Sequence, residues 1–128
     1  MIKIVALIKR KPDLSFEQFS DYYLHEHAKL CWSLAPPEVA ERVVLYSQSH
    51  ARALGSGPAS APFDCVTEIG FADEDGLRAW NEWYLGPDGA ELRADEANFM
   101  DTGQRVVVVT DVLAPPQPSG ALSDPASS

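Results

Sequence analysis

Two strongly apolar segments near opposite ends of the chain constrain the fold most. Residues 2–9 (IKIVALIK) and 104–113 (QRVVVVTDVL) are rich in β-branched side chains and carry charges mainly toward their ends. Such segments are typical of strands that are buried on both faces of a sheet. We therefore expect them to be strands of one sheet whose two faces are both covered.

A long amphipathic helix is predicted after the first strand. Ser15 and Gln18 have the spacing of a capping box, and Pro36 and Pro37 end the pattern, so the helix should run from Phe16 to about Leu34. Its apolar side chains recur in steps of three and four and should face the sheet. They are Phe16, Phe19, Tyr23, His27, Leu30, Cys31 and Leu34.

The middle of the chain predicts two more strands and two helices. Residues 42–50 and 64–71 are rich in strand-forming side chains, and the small Gly- and Pro-bearing residues 51–62 between them predict a long loop. Acidic residues 73–75 favour a helix start, because the helix dipole attracts negative charge there. A second short helix is expected over about 88–99.

The resulting order, β-α-β-β-α-β, predicts an α+β fold of the ferredoxin-like βαββαβ type. Helices cover one face of such a sheet, yet the first and last strands look apolar on both faces. We therefore expect a homodimer that packs sheet face on sheet face. The domain should span 1–113, and the Pro-, Ser- and Ala-rich residues 114–128 should form a disordered tail.

Composition excludes several classes of partner. Ten Lys and Arg against nineteen Asp and Glu give a net charge of −9, which disfavours nucleic acid and anionic membrane surfaces. No apolar run reaches the length of a membrane helix, and no signal-peptide pattern begins the sequence, so we expect a cytoplasmic protein. The two cysteines should be reduced thiols, and no metal site is expected, since the His and Cys residues lack ligand spacing.

Four segments resemble the EthD-like family of the dimeric α/β-barrel superfamily. They are KRKPDLSFEQFSDYYLHEHAKL, RVVLYSQSH, FDCVTEIGFADEDGLRAW and ADEANFMDTGQRVVVVTDVL. Tyr23 stands where the family usually carries Trp. The resemblance implies a dimeric α/β barrel with a pocket between sheet and helices, and it implies no metal or organic cofactor. Related proteins include cyclases, isomerases, dehydratases and cofactor-free oxygenases that act on aromatic and polyketide intermediates.

His27 and His50 are the candidate catalytic residues. His27 lies on the apolar stripe, where an imidazole can transfer protons near neutral pH, whereas His25 should face water. A structural histidine bonded to a backbone carbonyl is the alternative for His27. His50 ends a strand whose face it shares with Tyr46 and Gln48, so Tyr46 could donate to a substrate oxygen, Gln48 could orient it and His50 could be an acid or base. A solvated strand end is the alternative for His50.

Acidic and aromatic residues complete the candidate site. Asp64, on one face with Glu68, could hold an imidazole tautomer or could cap the loop before it, and the second role is favoured. Asp95 and Asp101 are expected to fix loops. Tyr23, Trp80 and Phe99 are predicted to contact a planar substrate, with ordinary core packing as the alternative for the aromatic residues.

Three functions are compatible with this pattern. The first is a cofactor-independent cyclase, isomerase or dehydratase of an aromatic, polyketide-like small molecule, in which His27 moves a proton and His50 or Tyr46 polarises a carbonyl. The second is a cofactor-free monooxygenase of anthrone-like substrates. The third is a non-catalytic ligand-binding or stress-associated dimer.

Overall fold

A computed structural model describes residues 1–52 and 61–118 and contains a four-stranded antiparallel sheet. Its strands are β1 (Ile2–Ile8), β2 (Val43–His50), β3 (Cys65–Phe71) and β4 (Val106–Asp111), in the spatial order β2-β3-β1-β4. All three strand pairs are antiparallel. The predicted α+β, ferredoxin-like fold is confirmed, with the two apolar end strands β1 and β4 side by side.

The first helical segment begins where the capping box predicts it. The Ser15 hydroxyl accepts from the Gln18 amide at 3.1 Å, and the Gln18 side chain accepts from the Ser15 amide at 2.9 Å. The segment is not one regular α-helix, however. Helix α1 (Phe16–Asp21) continues into a π-helical stretch (Tyr22–His27) and then into α2 (Ala28–Leu34), and the short α3 (Pro37–Ala40) follows.

The second helical segment turns sharply. Helix α4 (Glu74–Leu85) begins at Asp73, whose side chain accepts from the Gly76 amide, and a 3-10 turn (Pro87–Gly89) leads into α5 (Ala90–Glu96). A Cβ at Gly89 would overlap the carbonyl oxygens of Trp83 and Tyr84, so only glycine allows this approach of the two helices. The predicted helix over 88–99 is therefore shorter, and it ends before Phe99.

The helices pack on one face of the sheet, which we call the inner face. Strand register places Ile4, Ala6 and Ile8 of β1 on it, together with alternate residues of the neighbouring strands. The core beneath the helices comprises two clusters, one centred on Phe19 and Phe99 and one on Phe71 and Trp80.

The opposite, outer face lacks a helical layer among the described residues. Val5, Leu7, Val66 and Val108 share this face by register. The prediction of a fully buried last strand is wrong for the single chain, because Val106 to Val109 are 48–53% exposed. Strand β4 is at the edge of the sheet, and among the described strands it pairs with β1 alone.

Several expectations fall wholly or partly outside the described residues. The predicted loop over 51–62 is described only at its two ends, and the predicted tail over 114–128 only as far as residue 118.

Neither of the two cysteines forms a disulfide, and both are buried. None of the helices described is long and apolar enough to cross a membrane. Within 1–52 and 61–118, no cluster of His, Cys, Asp and Glu could hold a metal ion.

Candidate functional site

A cavity of about 380 Å³ lies between the inner face and the helices. Strand side chains form an apolar floor, and Trp80 and Leu92 contribute apolar surface from the helical layer. Exposed Leu85, Val107 and Val109 are among the lining residues, so the cavity opens toward the β4 edge. Its polar lining is Tyr23, His27, Tyr46, Thr67, Asn81, Tyr84, Glu96 and Arg105.

His27 lies on the wall of this cavity with one ring nitrogen fixed. It is 6% exposed, and its Nδ1 is 2.8 Å from Oδ2 of Asp95 on α5. A carboxylate accepts hydrogen bonds, so this contact selects the tautomer that carries the proton on Nδ1. Nε2 has no hydrogen-bond partner among the described residues, and in this tautomer it presents a lone pair. The structural alternative, a bond from the ring to a backbone carbonyl, is not found within the part of the chain described.

Asp95 is itself held by three donors. Its Oδ1 accepts from the Tyr22 hydroxyl at 2.5 Å and from the Asn98 amide at 2.9 Å, while Oδ2 faces His27. Burial alone would raise the pKa of Asp95, but the hydrogen bonds from Tyr22, His27 and Asn98 outweigh burial and lower it. The carboxylate is therefore ionised at neutral pH and remains an acceptor for His27.

The π-helical stretch sets the position of Tyr23 and His27. The Tyr23 carbonyl accepts the Ala28 amide, five residues on, and also accepts Nε2 of Gln48 from β2 at 3.2 Å. The Tyr23 hydroxyl is 2.5 Å from that of Thr67 on β3. π-helical turns inside α-helices occur often at functional sites. Here the turn is tied to the sheet at both its backbone and its side chain.

Tyr46 brings a second polar group to the cavity from β2. Gln48 Nε2 donates to the Tyr46 hydroxyl oxygen at 3.0 Å, and no hydrogen bond from the Tyr46 O–H is found among the described residues, so this O–H can donate to a ligand. Burial raises the pKa of Tyr46 to about 12. The hydroxyl therefore keeps its proton at neutral pH.

His50 and Gln48 lie behind Tyr46 and do not line the cavity. His50 Nε2 is 2.8 Å from Oε1 of Gln48 and its Nδ1 is 2.7 Å from the Ser20 hydroxyl. Gln48 offers an oxygen, so His50 donates from Nε2 and accepts from Ser20. Burial lowers the pKa of His50, which favours the neutral ring that this network needs. The two candidate histidines thus do not share the cavity, and His50 instead orients Gln48.

Asp64 does not pair with an imidazole. It accepts from the Arg10 amide at 2.8 Å and lies near the Arg10 guanidinium, outside the cavity, where its backbone joins the ends of β1 and β2. Glu68 points to the outer face, because it is opposite Val5, and it is paired there with Lys3 at 2.6 Å. Neither Asp64 nor Glu68 is therefore placed to fix the tautomer of an imidazole ring.

The aromatic candidates separate into lining and supporting residues. Tyr23 and Trp80 line the cavity. Phe99 is fully buried and lies behind the site, with its ring centroid 4.7 Å from that of His27 and 4.8 Å from that of Tyr23. Phe99 therefore supports the two rings and does not reach the cavity.

Two features of the site are missed by the sequence patterns. Asp95, predicted to fix a loop, is the partner of His27. Its neighbour Glu96, 6% exposed, accepts from Arg105 at 2.9 Å and from the Tyr84 hydroxyl. The consecutive acids at the end of α5 are the only sequence signal for these contacts, and they do not reveal the partners.

Several solved structures share this fold over most of the chain, although their sequence identity to it is low. An ethyl tert-butyl ether D (EthD) family protein from Bacillus halodurans C-125 superposes with a TM-score of 0.61 at 17% identity, covering 88% of this chain and 99% of that one. An EthD-like protein from Ralstonia eutropha JMP134 gives 0.60 at 19% identity, covering 90% and 94%. A dimeric ferredoxin-like protein of unknown function from Thermobifida fusca YX gives 0.59 at 20% identity, covering 87% and 90%. These likenesses establish the fold.

Sequence comparison is consistent with the structural one. No curated protein sequence matches this chain significantly. A family model described as the EthD domain matches residues 11–103, which include all the helices together with β2 and β3. On this match over most of its length, the chain belongs to the EthD family.

Proposed function

We propose that this protein is a cofactor-independent enzyme that acts on an aromatic, polyketide-like small molecule. The reaction begins with removal of a proton from a carbon beside a carbonyl group, and it ends in cyclisation, isomerisation or dehydration. The observation that carries the proposal is the His27 ring at the cavity wall, whose Nδ1 is held by ionised Asp95 and whose Nε2 has no partner among the residues that the structure describes.

His27 is the base in this scheme. Nε2 takes the proton, the C–H electron pair forms the carbon–carbon double bond of an enolate, and the carbonyl π pair moves to oxygen. Asp95 stabilises the imidazolium that forms, since it is an ionised acceptor 2.8 Å from Nδ1. Positioned general bases contribute about 10²–10⁴-fold in rate.

Tyr46 is the donor to the developing oxyanion. Its O–H is released for this contact because Gln48 occupies the hydroxyl oxygen as a donor. A neutral hydroxyl in an apolar cavity is a strong partner for new negative charge, because little water competes with it. The His27 imidazolium then returns its proton. According to the substrate, the proton goes to the alkoxide formed when the enolate adds to a second carbonyl, to another carbon of the enolate, or to a β-hydroxyl that leaves as water.

The shape of the cavity supports a planar apolar substrate. Its volume of about 380 Å³ is within the range of small-molecule pockets, and its floor and Trp80 are apolar. The polar lining residues come from both the helices and the strands, so hydrogen bonds from two sides can orient a bound molecule.

We further propose that the chain functions as a homodimer through the outer face. Val5, Leu7, Val66 and Val108 form an apolar patch on this face, and the Lys3–Glu68 ion pair lies beside it. Exposed apolar patches of this kind mark association sites. The Thermobifida fusca relative is described as dimeric.

Proton abstraction can be tested with β-tetralone, whose methylene lies between an aromatic ring and a carbonyl. The wild-type protein should accelerate deuterium uptake into that methylene from deuterium oxide, as followed by proton NMR. His27→Ala should reduce the accelerated rate to background while retaining the melting temperature within a few degrees. His25→Ala is the matched control, because His25 is solvent-exposed, and it should exchange at the wild-type rate.

A screen of aromatic polyketide intermediates with mass spectrometry of the products then identifies the reaction. Oxygen uptake during turnover would assign the protein to the monooxygenases instead. Binding without exchange, in wild type as in His27→Ala, would contradict the catalytic proposal and support a ligand-binding dimer.

A further inference from the structure

A second polar cluster lines the cavity beside β4. Arg105 precedes this strand, and its Nη1 contacts Oε1 of Glu96 at 2.9 Å and the Tyr84 hydroxyl at 3.5 Å. Tyr84 donates its own proton to the second oxygen of Glu96. All three side chains line the cavity, yet the proton-transfer scheme above uses none of them.

Arg105 retains unused donors. A guanidinium carries five N–H groups in a rigid plane, and the described hydrogen bonds of Arg105 all start from Nη1. Nε and Nη2 have no hydrogen-bond partner within the part of the chain that the structure describes, and together they form one edge of N–H groups. Glu96 has both of its oxygens engaged, so the cluster as a whole offers donors to a ligand.

Charge balance decides what this edge can bind. Glu96 neutralises Arg105, and the carboxylate of Asp95, the residue before it, adds negative charge to the same region. An anionic group at Arg105 would bring a third negative charge close to these two. An uncharged acceptor oxygen meets no such repulsion and still gains a hydrogen bond from a charged donor.

The cluster and Tyr46 belong to opposite edges of the sheet. Tyr46 lies on β2 and Arg105 directly precedes β4, and these strands are the two outermost. Three strand spacings separate the backbones of these two strands by roughly 14 Å. Because Tyr46 and Arg105 both line the cavity, from opposite edges of the sheet, a ligand that hydrogen-bonds to both carries an acceptor oxygen toward each edge.

We infer that Arg105, held by Glu96 and Tyr84, binds an uncharged carbonyl oxygen at the end of the substrate remote from Tyr46. That this is a second carbonyl of the substrate, besides the one at Tyr46, rests on the proposed function. The binding of a carbonyl oxygen at Arg105 does not rest on it. The substrate class is then an aromatic compound with at least two ketone, ester or thioester carbonyls.

Binding of three naphthalene probes tests the site without any turnover. Acetylnaphthalene has a carbonyl, ethylnaphthalene lacks it, and naphthoate replaces it by a carboxylate. Titration followed by tryptophan fluorescence should give the ketone about tenfold tighter binding than the hydrocarbon in wild type, the effect of one hydrogen bond to a charged group. Naphthoate should bind no more tightly than the hydrocarbon.

Two variants assign the preference to Arg105. Both variants are made in a Tyr46→Phe background, so that Tyr46 cannot supply the hydrogen bond to the ketone. The double variant Glu96→Gln with Arg105→Met leaves no unpaired buried charge and should then bind ketone and hydrocarbon equally. Arg105→Lys keeps the ion pair with Glu96 but loses this edge of N–H groups, and it should also lose most of the preference. Deuterium exchange into β-tetralone is measured on the same wild-type protein, so a failure of the catalytic proposal (no exchange with the ketone preference intact) is distinguishable from a failure of this one.

Three results would overturn the inference. They are equal binding of ketone and hydrocarbon to wild type, a preference that persists with unchanged melting temperature when the double variant is made in the Tyr46→Phe background, and tightest binding of naphthoate. If Arg105→Lys kept the preference for the ketone, the positive charge alone would explain that preference. The role given to the Nε and Nη2 N–H groups would then be wrong.

Discussion

Replacing Asp95 by Asn is the sharpest perturbation of the site, because it changes one atom and one charge. Oδ1 of Asp95 accepts from Tyr22 and Asn98, whereas Oδ2 faces His27. An asparagine keeps the first two bonds only if its oxygen stays at the Oδ1 position. Its NH₂ group then points at Nδ1 of His27, and the ring must accept there and carry its proton on Nε2.

The inverted tautomer removes the proposed base while preserving the hydrogen-bond count. We expect deuterium exchange into β-tetralone to fall by about 10²–10⁴-fold, the contribution of a positioned general base. Binding of the probe should change little, since Asp95 is not among the residues that line the cavity. Nitrogen NMR shifts of the His27 ring should report the move of the proton from Nδ1 to Nε2.

The loss of stability in Asp95→Asn should be greatest at neutral pH and should shrink as the pH falls. Hydrogen bonds to a charged group are worth about 1.5–3 kcal/mol and neutral ones about 1 kcal/mol, so the free energy of unfolding should fall by about 1–2 kcal/mol at pH 7. The pKa of Asp95 is lowered in the folded protein, so its stabilisation is present above the pKa of the unfolded chain and is lost as pH falls through the folded value. Wild type and Asp95→Asn should therefore converge in stability at acidic pH.

Asp101→Asn is the control, since it makes the same chemical change at an acid that contacts the Gly103 amide outside the cavity. It should leave exchange and the His27 tautomer unchanged. Exchange within threefold of wild type in Asp95→Asn, or a His27 ring that stays protonated on Nδ1, would refute the role given to Asp95.

Two further predictions concern the outer face and the cavity donor. Val108→Lys places a charge on the proposed dimer face and should convert a species of about twice 14.0 kDa into a monomer in light scattering; a wild-type monomer at micromolar concentration would exclude this interface. Tyr46→Phe should slow exchange at every pH. In wild type the rate should show no alkaline decline from Tyr46 until the pH approaches its pKa of about 12, and a decline near pH 9 that is absent from Tyr46→Phe would contradict the burial of this hydroxyl.

The fold was predictable because its signals are local. The capping box at Ser15, the paired prolines after Leu34 and the β-branched runs of β1 and β4 each fix an element without reference to distant residues. The exposure of β4 was not predictable in the same way. Hydrophobicity predicts that a strand becomes covered, but it does not say whether the same chain or another copy covers it.

The site was only partly predictable because its key contacts join distant residues. Helical spacing predicts that His27 faces the sheet, and strand alternation places Tyr46, Gln48 and His50 on one face. The partner of His27 lies 68 positions away on α5, where nothing local distinguishes Asp95 from a surface acid. The π-helical stretch is likewise joined to a distant residue, because Gln48 of β2 donates to the Tyr23 carbonyl, and helix propensity does not predict such a contact.

The consecutive acids on α5 couple the two polar groups of the cavity, His27 and Arg105, because both are held from the same short helix. Successive helical residues differ in direction by about 100°, and Asp95 serves His27 on one side while Glu96 serves Arg105 on the other. The turn at Gly89 fixes the rotation of α5 about its axis, because no side chain fits there. A single inserted or deleted residue in α5 would therefore disconnect both partners at once. A change of substrate, by evolution or by design, that keeps both contacts therefore has to come from substitutions among the apolar lining residues, with the length of α5 unchanged.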